Sequence, residues 1–574
     1  EIGSGLVGSE MCIRDRVAAA ATSAGLSACT GDDITKGGLS SEASGVKFDG
    51  ARATVSAGSV KGSEVADGVF SWYGIPYGEV PIGDLRWSAP KTRAAWTDEL
   101  DCSKMGERSL QYSGGKVIGS EDCLNLTVTA RDGEGGKPVL VYIHGGNNQT
   151  GDARELIGNE LVSTLDCVYV SLNYRLGLFG FNCLPALQSD DDATGNYALL
   201  DIKMALDWVA ENISVFGGDP ENITIAGFSA GGRDVIAMLI SPLFEGAFKR
   251  AIVFSGGMTT CDESAASVRV ARALAPLALE DGIADTSEEA VAWLLANDNE
   301  VEAYVRGLEA ERLALLMANA SIRMSVFPHL YEDGVALPRG GFDGALYNDV
   351  PVIMLTGSSE FGLFSNGDSW WQGEEAAGLS DDELTAAKNF SCTYGNEMYR
   401  IFNAQESANT MMSGCEQPIY VCEVNYGDDA SKMKDELSGY GAFHGIFIPM
   451  LSSTNSYTSM LPGVFESESY QAMAEVFRSY IANYLKTGDP NSEELEEWVA
   501  WSSDCHESLC FDADAEGAVV KSLDKTTTYG DIIERMELDT TVSDEIKSLV
   551  AKNVMNGRWF SKDLDGYYAG NRSA

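Results

Sequence analysis

The segment Ile223-Thr224-Ile225-Ala226-Gly227-Phe228-Ser229-Ala230-Gly231-Gly232 constrains the fold more than any other part of the chain. An apolar, β-branched run leads directly into Gly-x-Ser-x-Gly and then into a helix-forming segment. This is the pattern of a buried strand that turns sharply into a helix. A serine on such a turn projects its hydroxyl out of the fold, and flanking glycines remove the side chains that would collide there. With 61 glycines in the chain, chance supplies roughly half a match to the pentapeptide, so context must decide its meaning. Ser229 is the candidate nucleophile.

The context is an alternation of strands and helices. Pro138–Ile143 and Cys167–Leu172 are continuous apolar runs, as in strands buried on both faces. Tyr197–Phe216 places Leu199, Leu200, Met204, Trp208, Val209 and Ile213 at helical spacing. Arg250–Phe254 and Val350–Leu355 read as the next strands. The expected class is α/β, with a mostly parallel central sheet covered by helices on both faces. The acidic, Ala-rich region 262–320 reads as a helical insertion over the sheet, and no internal repeat is found.

Composition excludes several partners. The 574 residues carry a formal net charge of -46, so nucleic acid or an anionic membrane surface is not bound through charge. The acidic surface favours solubility, with electrostatic steering of a cationic substrate as the other reading. Residues 1–16 look like a translated sequencing-adapter remnant and are set aside. Residues 17–29 form a small-residue apolar run ending Leu26-Ser27-Ala28-Cys29, which resembles the end of a bacterial lipoprotein signal. A plain secretory cleavage site or an Ala-rich linker is the alternative. Residues 30–46 read as a flexible tether and 47–574 as the folded domain. The expectation is an exported protein, either a bacterial cell-surface lipoprotein or secreted. Membrane contact is then expected only through a lipid on Cys29.

Apart from Cys12 and Cys29, ten cysteines are distributed along the chain, an even number compatible with disulfides. Cys505 and Cys510 are close enough to close a local loop, whereas Cys167 suits a buried free thiol. No metal-ligand spacing occurs and only four histidines exist, so neither a metal nor any other cofactor is expected.

A serine hydroxyl needs a base within reach, itself oriented by an acid. The candidate bases are His144, His329, His444 and His506. Several blocks together resemble the type-B carboxylesterase family of carboxylesterases, para-nitrobenzyl esterases and cholinesterases. They are Gly74-Ile75-Pro76-Tyr77-Gly78 with Leu85-Arg86-Trp87, Glu121-Asp122-Cys123-Leu124, Asn173-Tyr174-Arg175-Leu176-Gly177, Gly195–Asp201, Phe216–Pro220, the serine turn, Asp333-Gly334 and Thr487–Pro490. The resemblance implies an α/β-hydrolase fold with helical insertions and a gorge above the serine. It also implies carboxylic-ester hydrolysis through an acyl-enzyme, with a small-molecule ester as partner. Its base position matches His444, and its acid loop matches Gly357–Gly362, giving Glu360 with Asp368 or Asp333 as fallbacks. The order serine, acid, histidine is that of α/β-hydrolases.

The same resemblance makes the backbone N–H groups of Gly146, Asn147 and Ala230 the oxyanion hole. Asn147 stands where relatives usually carry glycine or alanine. The pairs Arg86–Glu121 and Arg175–Asp201 would be structural, Cys102–Cys123 a disulfide, and Ser255 structural. Two departures bear on substrate. Relatives usually carry glutamate at Phe228 and at the position matching Phe447, so the gorge base is expected to be drier and less anionic. The Cys102–Cys123 loop lacks the choline-binding tryptophan, and Tyr112 is its sole aromatic. Neutral apolar esters are therefore expected as substrates, with Phe228, Phe447, Trp370 and Trp371 as candidate substrate-facing residues. The other readings are a non-catalytic adhesion protein, or the same machinery acting on lactones, carbamates or amides.

Overall fold

The computed structural model describes residues 47–188, 194–317, 326–428, 440–455, 457–458, 461–558 and 564–567. The adapter remnant, the lipoprotein-like run and the tether all lie outside these residues.

An eleven-stranded sheet organises the described chain. Its strands are β1 (Ser63–Ala66), β2 (Val69–Pro76), β3 (Asn125–Arg131), β4 (Lys137–Ile143), β5 (Val168–Leu172), β6 (Gly218–Phe228), β7 (Arg250–Phe254), β8 (Val352–Gly357), β9 (Ile419–Val424), β10 (Glu507–Asp514) and β11 (Gly517–Asp524). Their spatial order is 1-2-3-5-4-6-7-8-9-10-11. From β5 through β4 and β6 to β10 every pairing is parallel. The sequence runs read as strands all lie in this block. Antiparallel strands flank it on both sides, with β1, β2 and β3 at one edge and β11 at the other.

Strand parity explains why both faces are covered. Successive side chains point to opposite faces, so Val139, Val141 and Ile143 join one core while Leu140 and Tyr142 join another. The first core holds the helices Tyr197–Asn212 and Ala230–Ile240 and the insertion helix Glu263–Glu280. The second holds the long helix Glu468–Thr487, which buries Tyr470, Met473, Phe477, Tyr480 and Tyr484. A third cluster joins Phe361 and Trp371 to the helices Asp381–Arg400 and Tyr529–Leu538. The region 262–320 is helical where described, as its composition suggested.

Both family-like ion pairs form. Arg86 makes a two-pronged contact with Glu121, 2.7 Å at each prong. Arg175 holds Asp201 through Nε (2.8 Å), Nη2 (2.7 Å) and its backbone N–H (3.0 Å). The implied disulfide does not form. Cys102 is tied by its N–H to Lys61 and by its carbonyl to Tyr73, whereas Cys123 is tied to Glu121 and Asn125. Both thiols are free and buried, and burial pushes both up to about 12, where they stay protonated. All ten described cysteines are free, including Cys505 and Cys510, and Cys167 is buried as expected.

The Arg175–Asp201 pair fastens the loop after β5 to the helix Tyr197–Asn212, and Tyr174 in that loop hydrogen-bonds the His144 carbonyl just past β4. Desolvation drives the Asp201 carboxyl pKa upward, and Arg175 opposes it. Arg175→Met should therefore destabilise the protein by about 3–5 kcal/mol, because it leaves a buried carboxyl unpaired. Urea unfolding measures this, and adding Asp201→Leu to that variant should recover part of the loss.

Candidate active site

The parallel register brings four strand ends together. Gly227 of β6 pairs with Ile143 of β4, Phe228 with Phe254 of β7, and Phe254 with Leu355 of β8. Just past these ends come His144, Ser229, Ser255 and the loop to Glu360. Ligand sites in parallel sheets form at such carboxyl ends.

Ser229 sits between β6 and the helix Ala230–Ile240 with φ 54 and ψ -112, outside the helical and extended regions. That conformation is strained for a residue with a side chain. It is held by hydrogen bonds from Ser229 N–H to the Phe254 carbonyl (2.8 Å) and from Arg233 N–H to the Ser229 carbonyl (3.0 Å). A Cβ at Gly227 would collide with the Gly231 carbonyl, and one at Gly231 with the Ile143 carbonyl. The turn needs both glycines because backbones meet there.

The structure joins His444 and Glu360. The imidazole Nδ1 lies 2.6 Å from Glu360 Oε2. Nδ1 therefore donates and Nε2 is the acceptor nitrogen of the neutral ring. Nε2 is buried and has no hydrogen-bond partner among the described residues. Phe228 (4.6 Å between ring centres), Phe364 (4.9 Å) and Tyr399 (5.8 Å) enclose the ring. Exposures of 8% for Ser229, 5% for His444 and 1% for Glu360 put the three groups in a nearly dry setting, which strengthens each electrostatic contact.

The other histidines are committed elsewhere. His144 stacks on Tyr174 at 4.7 Å, and burial lowers its pKa to about 4. His329 is buried beside Arg233, and desolvation and that charge lower its pKa well below the usual histidine range. His506 packs on Trp501 at 5.0 Å. The fallback acids are committed too. Asp368 is paired with Arg558, and Asp333 accepts the backbone N–H groups of Val335, Ala336 and Leu337.

Sequence reasoning missed the other ligands of Glu360. Ser255, expected to be structural, donates its hydroxyl to Glu360 Oε1 at 2.5 Å, and Gly357 N–H donates to the same oxygen. Asn403 Nδ2 approaches Oε2 at 3.4 Å from a π-helical turn, Ile401–Glu406. Ser255 has φ 54, like Ser229, at the end of the neighbouring strand. Its place after an apolar strand run was the one available signal.

The candidate oxyanion loop His144–Asn148 leaves β4 and folds beside Ser229. A Cβ at Gly145 would touch Ser229 Cβ at 3.2 Å. Gly145 N–H donates to Glu155 Oε2 (2.9 Å), which also accepts from Tyr142 (2.9 Å). Tyr174 donates to the His144 carbonyl at 3.0 Å. Burial pushes the carboxyls of Glu155 and Asp234 up to about 7.

Phe228 and Phe447 form a floor under His444 with Phe254, which stacks on Phe447 at 4.0 Å and 7°. Trp370 and Trp371 pack against each other (5.0 Å) in the third helical cluster. Trp371 is buried there, with its indole N–H on the Ser365 carbonyl.

The carboxylesterase family matches residues 49–369. This chain belongs to that family. The carboxylesterase is 28% identical to the para-nitrobenzyl esterase of Bacillus subtilis over 480 residues, covering 80% of this chain and 94% of the relative. A solved para-nitrobenzyl esterase structure aligns with TM-score 0.65 at 27% identity, covering 83% of this chain and 98% of that one. A solved carboxylesterase of Geobacillus stearothermophilus aligns with TM-score 0.66 at 25% identity, covering 84% and 99%.

Two outcomes are expected of this carboxylesterase. Ser255→Ala removes a buried hydrogen bond to the acid and should lower kcat about tenfold with little change in KM, read by steady-state kinetics. For Glu155, the folded state keeps a proton that the unfolded state releases above its ordinary value of 4.5. Its contribution to stability therefore falls as pH rises from about 4.5 to about 7. Glu155→Gln should melt close to the parent at pH 5 and be the more stable protein at pH 8, by up to about 3 kcal/mol.

Proposed function

We propose that this carboxylic-ester hydrolase uses Ser229, His444 and Glu360 to cleave neutral, apolar esters. His444 Nε2 takes the Ser229 hydroxyl proton as the oxygen attacks the ester carbonyl. The tetrahedral oxyanion is received by the N–H groups of Gly146, Asn147 and Ala230. Collapse expels the alcohol oxygen, which takes the proton from His444. Water then attacks the acyl-serine, giving its proton to His444, and Ser229 recovers that proton as the carboxylic acid leaves. Glu360 keeps Nδ1 protonated and stabilises the imidazolium through both halves of the cycle.

The observation that carries this reading is the 2.6 Å Glu360–His444 contact, with the opposite ring nitrogen buried and unpartnered among the described residues. Substrate polarity is argued from the surroundings. The floor beneath His444 consists of Phe228, Phe254 and Phe447. The buried carboxyls beside the loop, Glu155 and Asp234, are pushed up to about 7, and Arg233 adds a positive charge. Among the described residues, such a site offers a cationic substrate no ion-pair partner beyond Glu360, whose oxygens are already engaged by His444 and Ser255.

Ser229→Ala should lower para-nitrophenyl butyrate hydrolysis by about 10⁴-fold or more and abolish labelling by a fluorophosphonate probe. Persistent labelling would reject Ser229 as nucleophile. Faster turnover of acetylthiocholine than of para-nitrophenyl butyrate would reject the neutral-ester assignment.

A further inference from the structure

Three consecutive residues of the candidate oxyanion loop have positive φ: Gly146 at 103, Asn147 at 54 and Asn148 at 55. Glycine adopts this region freely and asparagine enters it more readily than most residues, chiefly where its side chain is hydrogen-bonded; two such residues in succession are uncommon. Both asparagines are buried, and both are gripped by the nucleophile helix. Arg233 Nη2 donates to Asn147 Oδ1 at 2.8 Å. Asn148 Nδ2 donates to Asp234 Oδ1 at 2.8 Å, and Asn148 Oδ1 (3.1 Å) shares the single Tyr174 hydroxyl proton with the His144 carbonyl (3.0 Å).

Arg233 is itself fixed. Its Nη1 lies 3.0 Å from His329 Nε2, and His329 Nδ1 lies 3.2 Å from the Phe327 carbonyl. A neutral imidazole satisfies both contacts, donating from Nδ1 and accepting at Nε2. The burial and adjacent charge of His329 favour that neutral form.

We propose that Arg233 is a positioning residue for the oxyanion hole, acting through the side chain of Asn147. This rests on the serine-esterase reading of the site. Arg233 stands one helical turn after Ser229, and its backbone N–H closes the turn on the Ser229 carbonyl. One residue thus fixes the nucleophile with its backbone and the loop opposite with its side chain. The spacing between attacking oxygen and Asn147 N–H becomes a property of a single helical turn. Where a glycine would adopt the loop conformation unaided, Asn147 adopts it as part of a tether.

The test is a mutant cycle on the full chain. Arg233→Met should lower kcat for para-nitrophenyl butyrate roughly 10- to 100-fold with KM within about twofold. Its affinity for an alkyl trifluoromethyl ketone, which forms a serine-bound oxyanion, should fall by the same factor. The matching methyl ketone should bind as before. Measured against Asn147→Gly alone, adding Arg233→Met to that variant should cost far less than it costs the parent, because a glycine adopts the loop conformation without a side-chain tether.

A loss confined to KM, an equal loss on both ketones, or a double variant losing the product of the single effects would overturn the role of Arg233. A parent protein that binds the trifluoromethyl ketone no better than the methyl ketone would overturn the oxyanion reading itself, and this inference with it. Should Arg233→Met not fold, Arg233→Lys carries the same test, since it keeps the charge but cannot span both Asn147 and His329.

Discussion

Parallel pairing of β4, β6, β7 and β8 is the constraint on which the site depends. It sets Ile143 beside Gly227, and Phe228 beside Phe254 and Leu355, so the ends of the four strands arrive at a common edge. Backbone contact at Gly227 and Gly231 closes those ends against the helix Ala230–Ile240. Remote segments of the chain then bring Glu360 to His444 and to Ser255, and the loop after β4 to Ser229. The histidine comes from a loop after β9, and its ring is held by packing against Phe228.

The polar groups of the site lie in a setting where an unmatched charge would be costly. Glu360 tolerates burial because it accepts from His444, Ser255 and Gly357. Glu155 and Asp234 have fewer donors, and their carboxyls are pushed toward the neutral form. Arg175 and Asp201 neutralise one another. Phe228 and Phe447 therefore leave an uncharged aromatic surface beneath His444, while buried carboxyls persist on the flank of the loop that follows β4.

Much of this was legible in the sequence, and the reason is physical. Strands buried on both faces must be continuously apolar, and β4, β5, β7 and β8 were readable on that ground. Strand parity also fixes Phe228 on the face of Ala226, although the sequence does not say that Phe447 comes to meet it. The hidden part depends on partners far apart in the chain. Ser255 and Asn403 matter only because their strand and helix end beside Glu360. Arg233 has meaning only once Asn147 faces it. The edge strands alternate less clearly, and the Cys102–Cys123 pairing that the resemblance implied is not formed, both thiols being free. Trp370 and Trp371 lie near Glu360 in sequence, yet they turn into a helical core.

The π-helical turn at Ile401–Glu406 has an evolutionary consequence. It interrupts an otherwise α-helical stretch running from Asp381 to Met411, and such turns behave as single-residue insertions into a helix. The widened turn takes up one extra residue locally, and it carries Asn403 to Glu360 and Phe402 against Gly257. Removing that residue would tighten the turn and withdraw both side chains while the α-helical windings on either side kept their orientation. A length change is thus absorbed at the turn itself, and its effect would fall on Glu360 and not on the outlying helices.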